Sequence, residues 1–230
     1  MLRHSAFFMF RDDTTLEQAV EMMKGLAYMR FACPSVRALD FGLDEFGGSG
    51  LLREEKPWKR QPRWRSRRLG PPVSYDIALH LDFDDQAGMD DYNDDDVHHN
   101  VAVYNASICR GEETARVDWW YDGPPLITKN SYKHSAMFIW ADESDEASRA
   151  AALDAVKALE GTPEVQQVTI GKNIGTLTTD FDGIIDIRCA DKDAATRLIA
   201  GEEYAQAMKQ LGEVTQYEWM ARVTHLMHGL

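Results

Sequence analysis

The segment LRHSAFFMFRD at residues 2–12 returns, diverged, as YKHSAMFIWAD at residues 132–142. At this offset of 130, His4/His134, Ser5/Ser135, Ala6/Ala136, Phe8/Phe138 and Asp12/Asp142 are identical, and Arg3/Lys133 keeps its charge. Both copies alternate with β-formers and aromatics, the period of a strand with two distinct faces. A strand that recurs with its flanks marks an internal repeat, which decides the architecture before any single element does.

The match extends outward from this strand. Pro34, Val36 and Gly42 meet Pro163, Val165 and Gly171 at offset 129. Asp76-Ile77-Ala78-Leu79 then meets Asp182-Gly183-Ile184-Ile185 at offset 106. The change of offset places about 23 extra residues between Gly42 and Tyr75. The chain therefore divides into a first repeat, 1–125, with an insert at about 48–72, and a second repeat, 126–230, joined near Gly123-Pro124-Pro125.

Within the first repeat, residues 3–10 read as a strand. Thr14 with Glu17 forms a possible capping box. Leu16, Val20, Met23 and Ala27 follow at helical spacing, and Pro34 ends that helix. Val36 to Phe41, Ser74 to Phe83 and Ala115 to Tyr121 read as further strands. Between the last two lies a helical region from about Gln86 to Ile108, broken at the aspartates. The order is β-α-β-β-α-β, a ferredoxin-like unit. Such a sheet has helices on one face only, so its other apolar face needs a second sheet. The expected fold is α+β: two fused units with their four-stranded antiparallel sheets face to face, as in a dimeric α+β barrel.

With 44% hydrophobic and 27% charged residues among 230, the chain has the composition of a globular protein. No apolar run reaches the roughly 18–20 residues of a membrane span. The start lacks a signal-peptide pattern. Cys33, Cys109 and Cys189 are far apart, which argues against a disulfide framework or cysteine zinc site and fits a cytoplasmic protein. A net charge of −13 disfavours nucleic acid as a partner. The charge is uneven: residues 53–72 carry eight basic and two acidic side chains, and Asp82 to Asp96 holds eight aspartates with no basic residue. Such runs are usually solvated faces, and these two can attract each other. Trp58 and Trp64 within the basic insert suit a lid or an assembly element, outside the repeated fold.

A Lys/Arg-His strand, a helix, Pro-x-Val…Gly, a third strand ending in acidic residues, and Tyr-x5-His before a helix resemble the stress-responsive dimeric α/β-barrel (Dabb) family. The resemblance spans roughly 2–121 and 132–225. It implies the barrel fold and a homo-oligomer as one expectation. Family enzymes that close polyketide rings work by acid–base chemistry without metal or organic cofactor. They use a strand-one His, a Tyr, and a His six positions later. These match His4, Tyr92 and His98, although Asp95-Asp96-Val97 replaces the family's usual residues before the last His. In the second repeat His134 is kept, Leu198 stands for Tyr92, and Tyr204 stands for His98.

His4 shares a strand face with Ala6, Phe8 and Phe10. On an apolar cavity wall between the sheets it would be a desolvated neutral base; otherwise it is a satisfied structural histidine. Tyr92 and His98 either polarise a carbonyl together or pack beneath the second helix. Phe8, Trp119, His134 and Tyr204 are candidate substrate-binding residues, with core packing the alternative for Trp119. His99, His80, His225 and His228 are expected at the periphery. Adjacent His98 and His99 point about 100° apart on a helix and do not form a metal pair; no metal site or cofactor is expected. The function implied is a lyase, cyclase or isomerase acting on a small aromatic or polyketide-like carbonyl compound. The alternatives are a non-catalytic stress or assembly protein and a cofactor-free or metal-assisted oxygenase.

Overall fold

A computed structural model describes residues 1–46, 73–122, 129–175 and 181–230. The insert expected at about 48–72 lies outside the described residues. The first repeat comprises β1 (Leu2–Phe8), α1 (Leu16–Ala32), β2 (Ala38–Leu43), β3 (Val73–Ser74), β4 (Ile77–Phe83), α2 (Gln86–Asn93), α3 (Asp96–Ile108) and β5 (Ala115–Trp120). The second comprises β6 (Tyr132–Phe138), α4 (Glu146–Lys157), β7 (Val165–Lys172), β8 (Gly183–Cys189), α5 (Lys192–Ala200), α6 (Glu202–Val214) and β9 (Ala221–Leu226). Strands β4 and β5 and helices α2 and α3 each begin 106 residues before β8, β9, α5 and α6. The offset read from sequence is thus the offset of the elements.

The strand orders are β2-β4-β1-β5 in one sheet and β3-β9-β6-β8-β7 in the other. The fold is the expected α+β tandem, with one addition. The expected strand Ser74 to Phe83 is two strands: β3 pairs in parallel with β9 of the other repeat, and β4 pairs with β1 and β2. The chain changes sheets at Tyr75-Asp76. There the Tyr75 N–H donates to the Arg222 carbonyl and the Asp76 N–H to the Phe8 carbonyl, both within 2.9 Å. The Asp76 carboxylate accepts from the Phe10 N–H at 2.6 Å, and Asp182 accepts likewise from the Trp140 N–H at 2.7 Å. The repeated Asp is therefore the clamp at the end of strand one in each half.

Helix ends follow their capping chemistry. The α1 cap is Thr15 with Gln18, one residue past the expected pair, because the Thr14 hydroxyl is spent on the Ile108 carbonyl at 2.7 Å. The buried face of α1 is Ala19, Met22, Leu26 and Met29, while Leu16 and Val20, which opened the helical spacing read from the sequence, are exposed. Two of the clustered aspartates also have structural work: Asp85 caps α2 through the Gly88 N–H, and Asp95 caps α3 through the Val97 N–H. A side-chain acceptor at this position satisfies an N–H that the helix cannot, worth about 1 kcal/mol.

The sheets meet along Phe7, Met9, Val117, Trp119, Met137, Ile184 and Val223. The repeated glycines sit at the closest approaches: a Cβ on Gly171 would stand 2.1 Å from the Trp119 ring, and one on Gly42 would stand 2.7 Å from His225. The sheet interface also holds charge. Arg3 donates to both carboxylate oxygens of Asp82 at 2.6 and 2.8 Å and lies 4.3 Å over the Tyr121 ring. Lys133 lies 3.2 Å from Asp40 and 3.7 Å from Asp186. His80 and His225, expected at the periphery, stack here with ring centroids 5.9 Å apart. His80 is 2% exposed and His225 is fully buried. Their burial was illegible because their partners come from strands of both repeats. His228 is exposed.

Candidate functional site

The alternation of β1 sends Arg3, Ser5 and Phe7 toward the other sheet and His4, Ala6 and Phe8 toward the helices. His4 therefore lines no space between the sheets, the placement on which the sequence would have made it a desolvated base. It lines a cavity of about 350 Å³ between the first sheet and its own helices. The sheet contributes Ala6, Phe8 and Leu79, and the helices contribute Met29, Met89 and Val101. Tyr92 and His98 line the same cavity, so the structure brings together the three residues matched by the Tyr-x5-His pattern and strand one.

Two further residues, missed from sequence, define its chemistry. Asp118 stands opposite His4 in the β1/β5 pairing, and Nδ1 of His4 lies 2.6 Å from its Oδ1. Both side chains are about one-fifth exposed. Arg116, two positions earlier on the same face, also lines the cavity and has no side-chain partner among the described residues. The signal for both was present: in Ala115 to Trp119, polar residues alternate with Val117 and Trp119. That alternation gives β5 a polar helix-side face.

The Asp118 contact fixes Nδ1–H as a donor and leaves Nε2 of His4 as the basic nitrogen. Tyr92 is 2% exposed, its ring centroid 6.4 Å from His4 and 4.1 Å from His98. Its hydroxyl contacts the Met29 sulfur at 3.8 Å, a weak partner that a better acceptor displaces. Burial, then the nearby Cys33 and Asp118, raise the Tyr92 pKa far above its ordinary value, so it acts only as a hydrogen-bond donor. Burial lowers the His98 pKa, partly offset by the Asn93 backbone, and keeps that imidazole neutral near pH 7. Cys109 also lines the cavity, but burial pushes its thiol up to about 12, which leaves no thiolate nucleophile. Asn105 is 7% exposed at the wall, and its Oδ1 has no hydrogen-bond partner among the described residues.

The other candidates sit elsewhere. Trp119 is fully buried between the sheets, its indole N–H donating to the Ser5 hydroxyl at 3.1 Å. His134 and Tyr204 lie in the second repeat: Nε2 of His134 is 2.7 Å from the Tyr204 hydroxyl, and Nδ1 is 2.7 Å from the Thr224 hydroxyl. Burial, reinforced by Arg222, lowers the His134 pKa to about 3. Its ring is therefore neutral and bonded on both nitrogens. Phe8 alone of the four expected substrate-binding residues lines the first cavity.

No group of three or more His, Cys, Asp or Glu side chains among the described residues is arranged to hold a metal ion. No helix among them is long and apolar enough to cross a membrane.

No family model matches the sequence, and no curated protein matches it. Solved structures do match. An anthrone oxidase-like protein aligns over 100% of this chain and 92% of its own, with TM-score 0.65 and 11% identity. A Fusobacterium nucleatum protein provisionally described as a monooxygenase aligns over 98% and 91%, with TM-score 0.58 and 10% identity. A Lactobacillus acidophilus protein of the same description aligns over 98% and 93%, with TM-score 0.52 and 11% identity. At these identities the likeness is one of fold, and it extends over both repeats: the chain has the ferredoxin-like α+β barrel architecture of these proteins.

Proposed function

We propose that the chain is a Dabb-like acid–base enzyme, a lyase, cyclase or isomerase, acting on a small aromatic or polyketide-like carbonyl compound in the first-repeat cavity. The observation that carries this is the His4–Asp118 pair, set in a ligand-sized cavity shared with Tyr92 and His98. Nε2 of His4 removes a proton from the carbon next to the carbonyl. Asp118 orients the imidazole and stabilises its charged form. Tyr92 donates a hydrogen bond to the carbonyl oxygen as negative charge develops there. His98, neutral and beside Tyr92, relays the proton to the oxygen or leaving group. The second repeat lacks this arrangement, since Thr224 replaces Asp118, Leu198 replaces Tyr92, and Tyr204 closes over His134. Its role is to complete the sheet pair.

The test needs no prior substrate. A panel of enolisable aryl ketones and β-keto compounds is incubated with the full chain in D2O, and exchange at the α-carbon is followed by NMR. Exchange that His4→Ala abolishes supports the proposal. No exchange across the panel favours the non-catalytic assembly reading, and substrate-dependent O2 uptake moves the reading to an oxygenase.

A further inference from the structure

The second repeat holds a tethered phenol where the first repeat has open space. The Tyr204 hydroxyl sits 2.7 Å from Nε2 of His134, and the Arg222 guanidinium hydrogen-bonds the same oxygen. Arg222 donates to that oxygen, which in turn donates to Nε2, and Nδ1–H is left to donate to Thr224. One aromatic hydroxyl is thus held between an imidazole nitrogen and a guanidinium.

Two of the three holders recur in the first repeat. His4 and His134 are equivalent at offset 130, and Arg116 and Arg222 at offset 106. Their registers agree: Arg116 pairs opposite Ala6 on β1, and Arg222 opposite Ala136 on β6. The tyrosine does not recur, because its position is His98, whose ring packs on Tyr92 instead. Arg116 and Nε2 of His4 consequently have no side-chain partner among the described residues, and both residues line the cavity. The third difference is Thr224 against Asp118. A threonine hydroxyl cannot stabilise an imidazolium, whereas a carboxylate 2.6 Å from Nδ1 can.

We propose that the first-repeat cavity binds a phenol from solution in the place that Tyr204 mimics, with its oxygen between Nε2 of His4 and the Arg116 guanidinium, and holds it as the phenolate. The O–H bond breaks, the electron pair stays on oxygen, and the proton forms an N–H bond at Nε2. Arg116 balances the phenolate and Asp118 the imidazolium. The other titratable side chains facing this place are His98, Tyr92 and Cys109. In the second repeat the same oxygen stays protonated, because its imidazole has no carboxylate behind it. The apolar walls, Phe8, Leu79, Met89 and Val101, suit the ring. This substrate class rests on the acid–base reading of the site and narrows it to hydroxyaryl compounds, from which Nε2 of His4 takes the phenol proton in place of a carbon-bound one.

The experiment is a titration of the full chain with 4-nitrophenol at fixed pH, reading the visible band of the ionised form. The expected result is saturable binding with an increased ionised fraction. Arg116→Gln weakens binding roughly tenfold or more and removes that increase; Arg116→Lys retains part of it, which separates loss of charge from loss of fold. His4→Gln removes the increase, and Tyr204→Phe leaves it unchanged. No saturable binding, or binding with the same affinity and ionised fraction in Arg116→Gln, overturns the proposal. The readout is ionisation, not turnover. Phenolate binding without carbon-acid exchange removes the lyase reading and leaves this one standing, and exchange without phenolate binding does the reverse.

Discussion

Nδ1 of His4 lies 2.6 Å from Oδ1 of Asp118, across a strand pair that sets the two residues directly opposite each other. The strands hold this contact in register, so it does not depend on loop conformation. Asp118→Asn keeps the shape but offers Nδ1 an amide in place of a carboxylate, and the imidazolium loses its counter-charge. The expected result is a fall in turnover of about 10²–10⁴-fold, similar to that of His4→Ala. The melting temperature should barely change, since the pair is partly solvated.

His134 gives a prediction about pH. Its folded-state pKa of about 3 lies below the ordinary 6.5. The unfolded chain therefore takes up a proton that the folded chain refuses. The associated stability is complete above pH 6.5 and declines as pH falls toward 3, by at most on the order of 5 kcal/mol. His80, lowered by burial and by Lys133, acts in the same direction. Denaturant unfolding across pH 3–7 should show this slope, and His134→Gln should flatten it.

The ionic contact between the sheets predicts a large loss on truncation. Arg3→Met removes the two guanidinium hydrogen bonds that the Asp82 carboxylate, 3% exposed, accepts from Arg3. Removing one member of a buried pair costs about 3–5 kcal/mol. Equilibrium unfolding of this variant should show a loss of that size. A loss below 1 kcal/mol would mean that Asp82 is adequately served by its other contacts, Tyr121 among them, whose hydroxyl donates to it at 3.1 Å.

Gly171 and Gly161 make a matched pair. A methyl group at Gly171 meets the Trp119 ring, whereas one at Gly161 meets nothing within 4 Å. Gly171→Ala should destabilise the fold by about 1–3 kcal/mol through overpacking. Gly161→Ala should be neutral or slightly stabilising. Thermal unfolding of the two variants side by side checks this.

The repeat was legible because it rests on strand alternation, and because Gly42/Gly171 and Asp76/Asp182 serve the same contacts in both halves. The face of α1 was misread. Leu16, Val20, Met23 and Ala27 do have helical spacing, but Ala19, Met22, Leu26 and Met29 have it too, and only the packing against β2 and α3 decides between them. The cavity residues His4, Tyr92 and His98 were singled out through the family resemblance that their strand-one His and Tyr-x5-His pattern carries. Which side of the sheet they occupied was not legible, because each sheet has an apolar covering on both faces. Asp118 and Arg116 were passed over for the tryptophans beside them. The charged sheet interface was invisible, since its partners lie as far apart as Arg3 and Asp186.

The asymmetry between the two strand-one histidines is the most direct test. His4 presents one nitrogen to a cavity, and His134 is bonded on both nitrogens within the core. Exchange rate on the most responsive carbon acid, and melting temperature, should be measured together for His4→Ala and His134→Ala. The account predicts that His4→Ala loses at least about 100-fold in rate with little change in stability, while His134→Ala keeps the rate at temperatures where it is folded and melts lower. Equal losses of stability with the exchange rate retained in both would contradict it.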